Sequence, residues 1–364
     1  MQPFRLHTAR TVADAVQAMA ADPDAQYIAG GTSQVDLMKE GVSRPSHLID
    51  IARLPLSQLD HDSGRGSRIG ATVSNTAVAD DPLIIHRYPG VSEAIHAGAS
   101  QQIRNMASAA GNLLQRTRCP YFRDPAQACN KRIPGTGCSA VLGFNRMHSV
   151  VGAIDNGPKD PRTCIAAFPS DLAVALAAHD AILTIEGVSG ERYLPLTALH
   201  RERSDEPDKD WNLEHADLIT SINLPAFSGS SHYLKVRDRA SYAYALVSCA
   251  VALELDDAKQ IISVGIALGS VAPKPWRLPA VERQLRGKEI SAELFRHAAA
   301  GVLDDATTRS MNGYKPALAR SLVERTLLEA SGLRPLVGPA GSALSASVGG
   351  TGGPGFRDDA GAAS

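Results

Sequence analysis

Residues 101–140 read QQIRNMASAAGNLLQRTRCPYFRDPAQACNKRIPGTGCSA. The stretch opens on a small-residue turn, Ser108-Ala109-Ala110-Gly111-Asn112-Leu113, and runs straight into three cysteines set among arginines and lysines. Small side chains and a glycine let backbone approach a diphosphate closely, and Asn112 offers both a donor and an acceptor. A fourth cysteine, Cys164, comes shortly before Pro169-Ser170-Asp171-Leu172. A cradle for an organic cofactor beside a set of thiols points to electron transfer.

Upstream lies a second loop of similar texture, Ile28-Ala29-Gly30-Gly31-Thr32-Ser33-Gln34, at the end of a predicted strand. Two glycines can take positive φ and turn consecutive N–H groups to one point, while Thr32 and Ser33 add hydroxyls. The helix predicted to follow aims its N-terminal dipole at the same place. Taken alone, the loop reads more simply as a tight strand-to-helix turn. It is neither a Walker loop nor a Rossmann fingerprint, because the Gly-Lys-Ser/Thr and G-x-G-x-x-G spacings are absent. Two such loops in one half of the chain suit a dinucleotide gripped from two sides.

The surrounding pattern is mixed. Val12, Ala15, Val16 and Met19 make one helical face behind Thr11; His47–Ile51 and Arg68–Val73 read as strands. Ser170 is the expected N-cap of a helix reaching His179, followed by a strand over Ala181–Glu186. Residues 199–213 are highly charged and aperiodic, so an exposed excursion is expected, and Phe227–Ser231 reads as a linker. Strands at His232–Arg237, Ala245–Leu255 and Ile261–Val271 then precede helices near Pro279–Leu285, Ala292–Leu303 and Tyr314–Glu329. Residues 338–364 are mostly Gly, Ala and Ser and are expected to be disordered, having too little apolar surface to offset chain entropy.

Composition narrows the function. The chain has 364 residues, 44% apolar and 21% charged, with a net charge of −1, which gives no global field for nucleic acid. No apolar run approaches the ~20 residues of a membrane helix. The N-terminus carries no secretory or twin-arginine pattern, so the five cysteines point to reduced thiols or metal ligands in a cytosolically made protein.

Cys119, Cys129, Cys138 and Cys164 are separated by nine, eight and 25 residues. Neither zinc hooks nor ferredoxin runs have that spacing, and scattered buried thiols would fit it as well. Two features favour convergence. Cys119-Pro120, Asp124-Pro125 and Pro134-Gly135-Thr136-Gly137 let the loop fold back, and Arg116, Arg118, Arg123, Lys131 and Arg132 could balance a negative cluster. Cys249 sits in an apolar strand and reads as a core thiol. His47, His148 and His179 show no paired ligand spacing and read as solvated or core residues.

YIAGGTSQVDLM, IGATVSNTAVADDP, QQIRNMASAAGNL and PSDLAVAL, in that order, resemble the FAD-binding medium subunits of the xanthine dehydrogenase/molybdenum hydroxylase family. KVRDRASYAYALVSCAVALEL, SVGIALGSVAPKPWR and NGYKPALARSLVERTL extend the resemblance over roughly residues 1–332. The resemblance implies an α+β protein: a vanillyl-alcohol-oxidase (PCMH-type) FAD-binding fold over 1–226, then a carbon monoxide dehydrogenase flavoprotein C-terminal-like domain over 231–332. It implies FAD contacts from Ile28, Ala29, Gly30, Gly31, Thr32, Ser33 and Gln34 on one side and Ser108, Gly111 and Asn112 on the other. Asp171 would touch the flavin or its ribityl chain, although a helix-start carboxylate explains it equally; Ile219 would offer backbone, and Lys235 would approach the isoalloxazine.

The segment of about 115–165 is longer than in most of that family and resembles the flavin subunits of its aldehyde oxidoreductase and 4-hydroxybenzoyl-CoA reductase branches, the first most of all. That implies a [4Fe-4S] cluster on Cys119, Cys129, Cys138 and Cys164. The implied assembly is a heterotrimer with a molybdenum-cofactor large subunit, which oxidises aldehyde to carboxylic acid, and a [2Fe-2S] small subunit. Electrons would leave through FAD to an external acceptor, and no catalytic side chain is assigned here. A hydroxybenzoyl-CoA reductase-like complex and a stand-alone flavin/cluster redox sensor remain alternatives. The expected location is cytoplasmic when the chain is made alone, or periplasmic by co-export with a signal-bearing partner.

Overall fold

The computed structural model describes residues 1–202 and 205–334; the tail expected over 338–364 lies outside the described residues. Three sheets organise the chain. The first is parallel, with β3 (His47–Asp50) between β1 (Arg5–Thr8) and β2 (Ala25–Ile28). The helix Val12–Ala20 crosses over from β1 to β2; Thr11 caps it by accepting from the Asp14 N–H, and Ala15, Val16 and Met19 are its buried face. The second sheet is antiparallel, in the order β4 (Leu59–Asp62), β5 (Gly66–Gly70), β8 (Leu218–Leu224), β6 (Ile182–Gly187), β7 (Gly190–Pro195). The third runs β12 (Trp276–Arg277), β11 (Ile261–Gly269), β10 (Val247–Leu255), β9 (Ser230–Val236).

One helix joins the two larger sheets. All eight residues of Asp171–Ala178 are buried, so it lacks a polar face and must be covered on every side. Its core takes in Leu183, Ile185 and Ile222 of the second sheet and Tyr233, Ala250 and Ala267 of the third. A separate core lies between the third sheet and the helices Pro279–Leu285, Ala292–Ala300 and Lys315–Ala330. Cys249 is fully buried there, as its apolar strand suggested.

Two stretches make contacts that their sequence does not disclose. Phe227 is packed rather than free: it stacks on Tyr88 at 6.3 Å and meets the His179 ring edge-on at 4.7 Å. Ser231 is buried and its hydroxyl accepts from the Gly90 N–H at 3.0 Å. The charged stretch folds back at Asp210, which is drawn between Arg116 and Lys131. Charge patterning cannot reveal this, since an acid aimed at buried cations has the same composition as one aimed at water.

The cysteine-bearing segment has almost no regular structure beyond the single turn Pro120–Arg123. It is nevertheless stapled to the third sheet. The Val150 and Val151 N–H groups donate to the Val271 carbonyl at 2.8 and 3.2 Å, and both valines join the second core.

Candidate functional site

The first cradle leaves the end of β2. The N–H groups of Gly30, Gly31, Thr32 and Ser33 donate to no group among the described residues, although their loop lines a cavity of about 1140 Å3. Consecutive unpaired donors facing one space form a nest for an anion. Gly31 takes φ +71°. Gly30 does not share that conformation: it is glycine because a Cβ there would overlap the Met106 carbonyl. The two glycines therefore do different work, one turning the chain and the other admitting a neighbouring backbone. The helix that follows, Gln34–Lys39, is less than two turns long, so the loop's N–H groups dominate the cradle.

The second cradle faces the same cavity. Ser108 caps the short helix Ala109–Leu113 by accepting from the Gly111 N–H at 3.3 Å, and a Cβ on Gly111 would lie 2.6 Å from that hydroxyl oxygen. Asn112 Oδ1 accepts from Ser170 at 2.6 Å and from Gln115 at 2.9 Å, which fixes its amide relative to the central helix. Ala110 sits in ordinary helical backbone, so its methyl causes no strain.

Asp171, Ile219 and Lys235 reach the same cavity from three further elements. Lys235 Nζ is 2.7 Å from Asp171 Oδ2 and donates to the Ala97 carbonyl at 3.1 Å; the Tyr233 hydroxyl donates to Asp171 Oδ1 at 2.5 Å. The lysine is thus a neutralised, clamped donor rather than a free cation. Asp171 starts the helix, as one sequence reading had it, and also holds the lysine. Sequence reasoning gave no role to Trp211, Arg239, Tyr242 or Tyr244, which also line the cavity. Tyr244 lies under the Arg118 guanidinium at 5.1 Å. The only signal for Arg239, Tyr242 and Tyr244 is their place in the RDRASYAYAL stretch of the second half, and Trp211 lies in the charged stretch before it.

Cys119, Cys129, Cys138 and Cys164 line one small cavity of about 10 Å3, room for roughly one water-sized sphere. Among the described residues, no group of three or more His, Cys, Asp or Glu side chains is close enough to hold a single metal ion. Burial pushes the Cys119 thiol up to about 12 and Cys138 up to about 11, and raises Cys129 as well; neighbouring thiols add to it. Such thiols ionise only against a compensating cation, which is what a metal supplies.

One amide organises three of the four loops. Asn130, which follows Cys129, is almost wholly buried. Its side chain donates to the Thr163 carbonyl before Cys164 and to the Asp160 carbonyl, both at 2.9 Å. Its Oδ1 accepts from the Gly137 N–H, before Cys138, at 2.7 Å. Arg132 gathers the rest, donating to the Tyr121 and Phe122 carbonyls at 2.7 Å and also to Gln127. The fourth loop is met by His148, whose Nε2 lies 3.1 Å from Cys119 Sγ. Burial, with Lys315 nearby, pushes this imidazole down to about 4. The sequence reading took His148 for a solvated or core residue, and it is buried; its contact with Cys119 was not foreseen, because nothing in its spacing ties it to a residue 29 positions away.

The surrounding cations are less available than composition implies. Arg116 and Lys131 pair with Asp210, while Arg118 and Arg123 pair with Asp36, and Arg123 also with Glu40. Arg132 is taken up by carbonyls. Of the five, only Lys131 lines the cysteine cavity. The expected excess of positive charge is therefore largely cancelled by three carboxylates.

With both cavities described, the class can be defined: an α+β protein in which a nested loop, a small-residue turn and a central helix line one large cavity. Residues 2–227 match the family described as FAD binding domain in molybdopterin dehydrogenase, and residues 232–330 match the CO dehydrogenase flavoprotein C-terminal domain. The chain belongs to the FAD-binding medium subunits of the xanthine dehydrogenase/carbon monoxide dehydrogenase family. It is 44% identical to the aldehyde oxidoreductase FAD-binding subunit PaoB of Escherichia coli, over 78% of this chain and 86% of that one. It is 24% identical to the carbon monoxide dehydrogenase medium chain of Hydrogenophaga pseudoflava, over 89% of this chain and 96% of that one. Among solved structures, carbon monoxide dehydrogenase from that organism shares the fold with a TM-score of 0.69 at 24% identity, over 91% of this chain and 98% of that one. Quinoline 2-oxidoreductase from Pseudomonas putida 86 gives 0.68 at 20% identity with the same coverages. No helix among the described residues is long and apolar enough to cross a membrane.

Proposed function

We propose that this chain is the FAD and [4Fe-4S] electron-transfer subunit of a heterotrimeric molybdenum-dependent aldehyde oxidoreductase. The aldehyde would be oxidised to a carboxylic acid on a large molybdenum-cofactor subunit, and a small [2Fe-2S] subunit would deliver the electrons here. The likeness to PaoB supports the substrate class. The observation that carries the cluster assignment is the meeting of Cys119, Cys129, Cys138 and Cys164 at one buried cavity despite their irregular spacing. Four thiols spread around one space suit a multi-iron core better than a single ion.

The FAD and cluster supply the redox chemistry; the chain's residues bind, orient and insulate them. Gly30 to Ser33 would hold the pyrophosphate by backbone N–H groups, with Ser108, Gly111 and Asn112 closing from the other side. Ile28, Ala29, Gln34 and Ile219 would frame the cofactor, while Asp171 keeps Lys235 pointed into the cavity. In this reading residues 1–226 form the flavin unit, the segment of about 115–165 carries the cluster, and residues 231–332 close the site. Made alone, the chain would stay in the cytoplasm; a signal-bearing partner could carry the assembled complex to the periplasm.

Purification of the tagged chain from its native source tests the reading. Two further subunits and molybdenum should co-purify, and the complex should pass electrons from an aldehyde to a dye. Recovery of a stable lone chain with no aldehyde-linked reduction would overturn it and favour a redox sensor.

A further inference from the structure

His148 lies outside every role assigned so far, yet its setting is built. It is 2% exposed, and its Nε2 is 3.1 Å from Cys119 Sγ. The backbone on both sides is fixed. Its N–H donates to the Asn145 carbonyl at 3.0 Å, its carbonyl accepts from Asn312 at 3.4 Å, and the next N–H, of Ser149, donates to Ile165 at 2.8 Å. The other ring nitrogen, Nδ1, is buried with no hydrogen-bond partner among the described residues. A bare lone pair is cheaper to bury than an unpaired N–H, so the ring proton belongs on Nε2, directed at the sulfur.

We propose that His148 is a fixed N–H donor to the Cys119 thiolate and raises the reduction potential of the cluster that this thiolate binds. The proposal rests on the cluster reading above. Reduction adds negative charge to the cluster and its thiolates. A hydrogen bond to a thiolate therefore strengthens on reduction and favours the reduced form. His148 acts through Cys119, as a positioning residue and not as a ligand. Cysteines alone complete the ligand set, and the imidazole touches one sulfur at hydrogen-bond distance.

The test uses the assembled complex. In His148→Leu the cluster should be retained at about four irons per chain, and its one-electron equilibrium should shift about tenfold toward the oxidised form, about 59 mV by redox titration followed by electron paramagnetic resonance. His148→Gln, which can place an amide N–H at the Nε2 position, should recover most of that shift. Should the leucine variant fail to assemble, the unsubstituted complex decides. With 15N-labelled histidine, the reduced cluster should show a weak nitrogen hyperfine coupling of the hydrogen-bonded kind. An unchanged potential in His148→Leu, or no nitrogen coupling, would overturn the donor role. A strong coupling with iron lost in both variants would overturn it too, by making His148 a ligand. A parent complex without any four-iron signal would sink the cluster reading itself, and would do so before any substitution is made.

Discussion

Between Ile28 and Ser33 the chain offers backbone, whereas between Cys119 and Cys164 it offers side chains. The larger cavity is roomy, at about 1140 Å3, and the N–H groups of Gly30 to Ser33 that line it have no partner among the described residues. The cysteine cavity, at about 10 Å3, is closed by a web of amide and guanidinium contacts. A backbone nest is rigid and tolerates any anion that fits. A set of thiols depends on whatever holds its loops in place, and burial disfavours their charged form. The two sites should therefore fail differently: the first by steric blockage, the second by loosening of its supports.

The largest separation is expected from Gly30→Val. A side chain there collides with the Met106 carbonyl, so flavin retention should fall nearly to zero, while iron stays at the parent value. Flavin released to the supernatant by acid gives the count, and full release from the parent would show a non-covalent cofactor. Normal FAD in Gly30→Val would remove the first cradle from the site.

Asp210→Asn strikes between the two regions. Arg116 lines the larger cavity and Lys131 the cysteine cavity, and both pair with this carboxylate. Leaving a buried Lys131 without its counter-charge should cost about 3–5 kcal/mol in urea unfolding. Burial pushes the Asp210 carboxyl up, but Lys131 and Arg116 outweigh this and hold it down at about 2. Its folded value lies below its unfolded one, so its contribution is complete above the ordinary carboxylate value of 3.8 and disappears as pH falls through about 2. The parent should lose stability over that window more steeply than the variant; parallel pH profiles would contradict the pairing.

Asn130→Ala is smaller and more local. It strands the Gly137 N–H and the Thr163 carbonyl, at about 1–3 kcal/mol, and should lower iron content without changing flavin content. Equal losses of both cofactors would break the contrast, because the two sites would then be one cooperative unit.

How far the sequence disclosed these regions follows from the same contrast. The cradle was legible because its chemistry is local: Gly30-Gly31-Thr32-Ser33 and Ser108 to Asn112 each carry their geometry in a few consecutive residues. The helix Asp171–Ala178 and the strands of the third sheet were legible through cap and periodicity. The four cysteines could be named but not brought together by spacing; turn residues and flanking cations favoured convergence, and family resemblance proposed a common site. Asn130, His148 and Asp210 stayed hidden, since each acts on a partner 29 or more positions away through a contact that only the folded chain creates. The packing of Phe227 was hidden for a related reason: glycine and serine beside it signal a linker, and nothing local reveals Tyr88 and His179 beneath it.

The most direct test counts iron and FAD together in the purified complex of the parent and five Cys→Ser variants. Serine at Cys119, Cys129, Cys138 or Cys164 should each lower iron by about four atoms per chain, because loss of one ligand destabilises the whole cube, with FAD largely kept. Cys249→Ser, in the core of the third sheet, should keep full iron and cost only some stability. Iron unchanged in all five, or lost from Cys249→Ser while Cys164→Ser keeps it, would contradict the account.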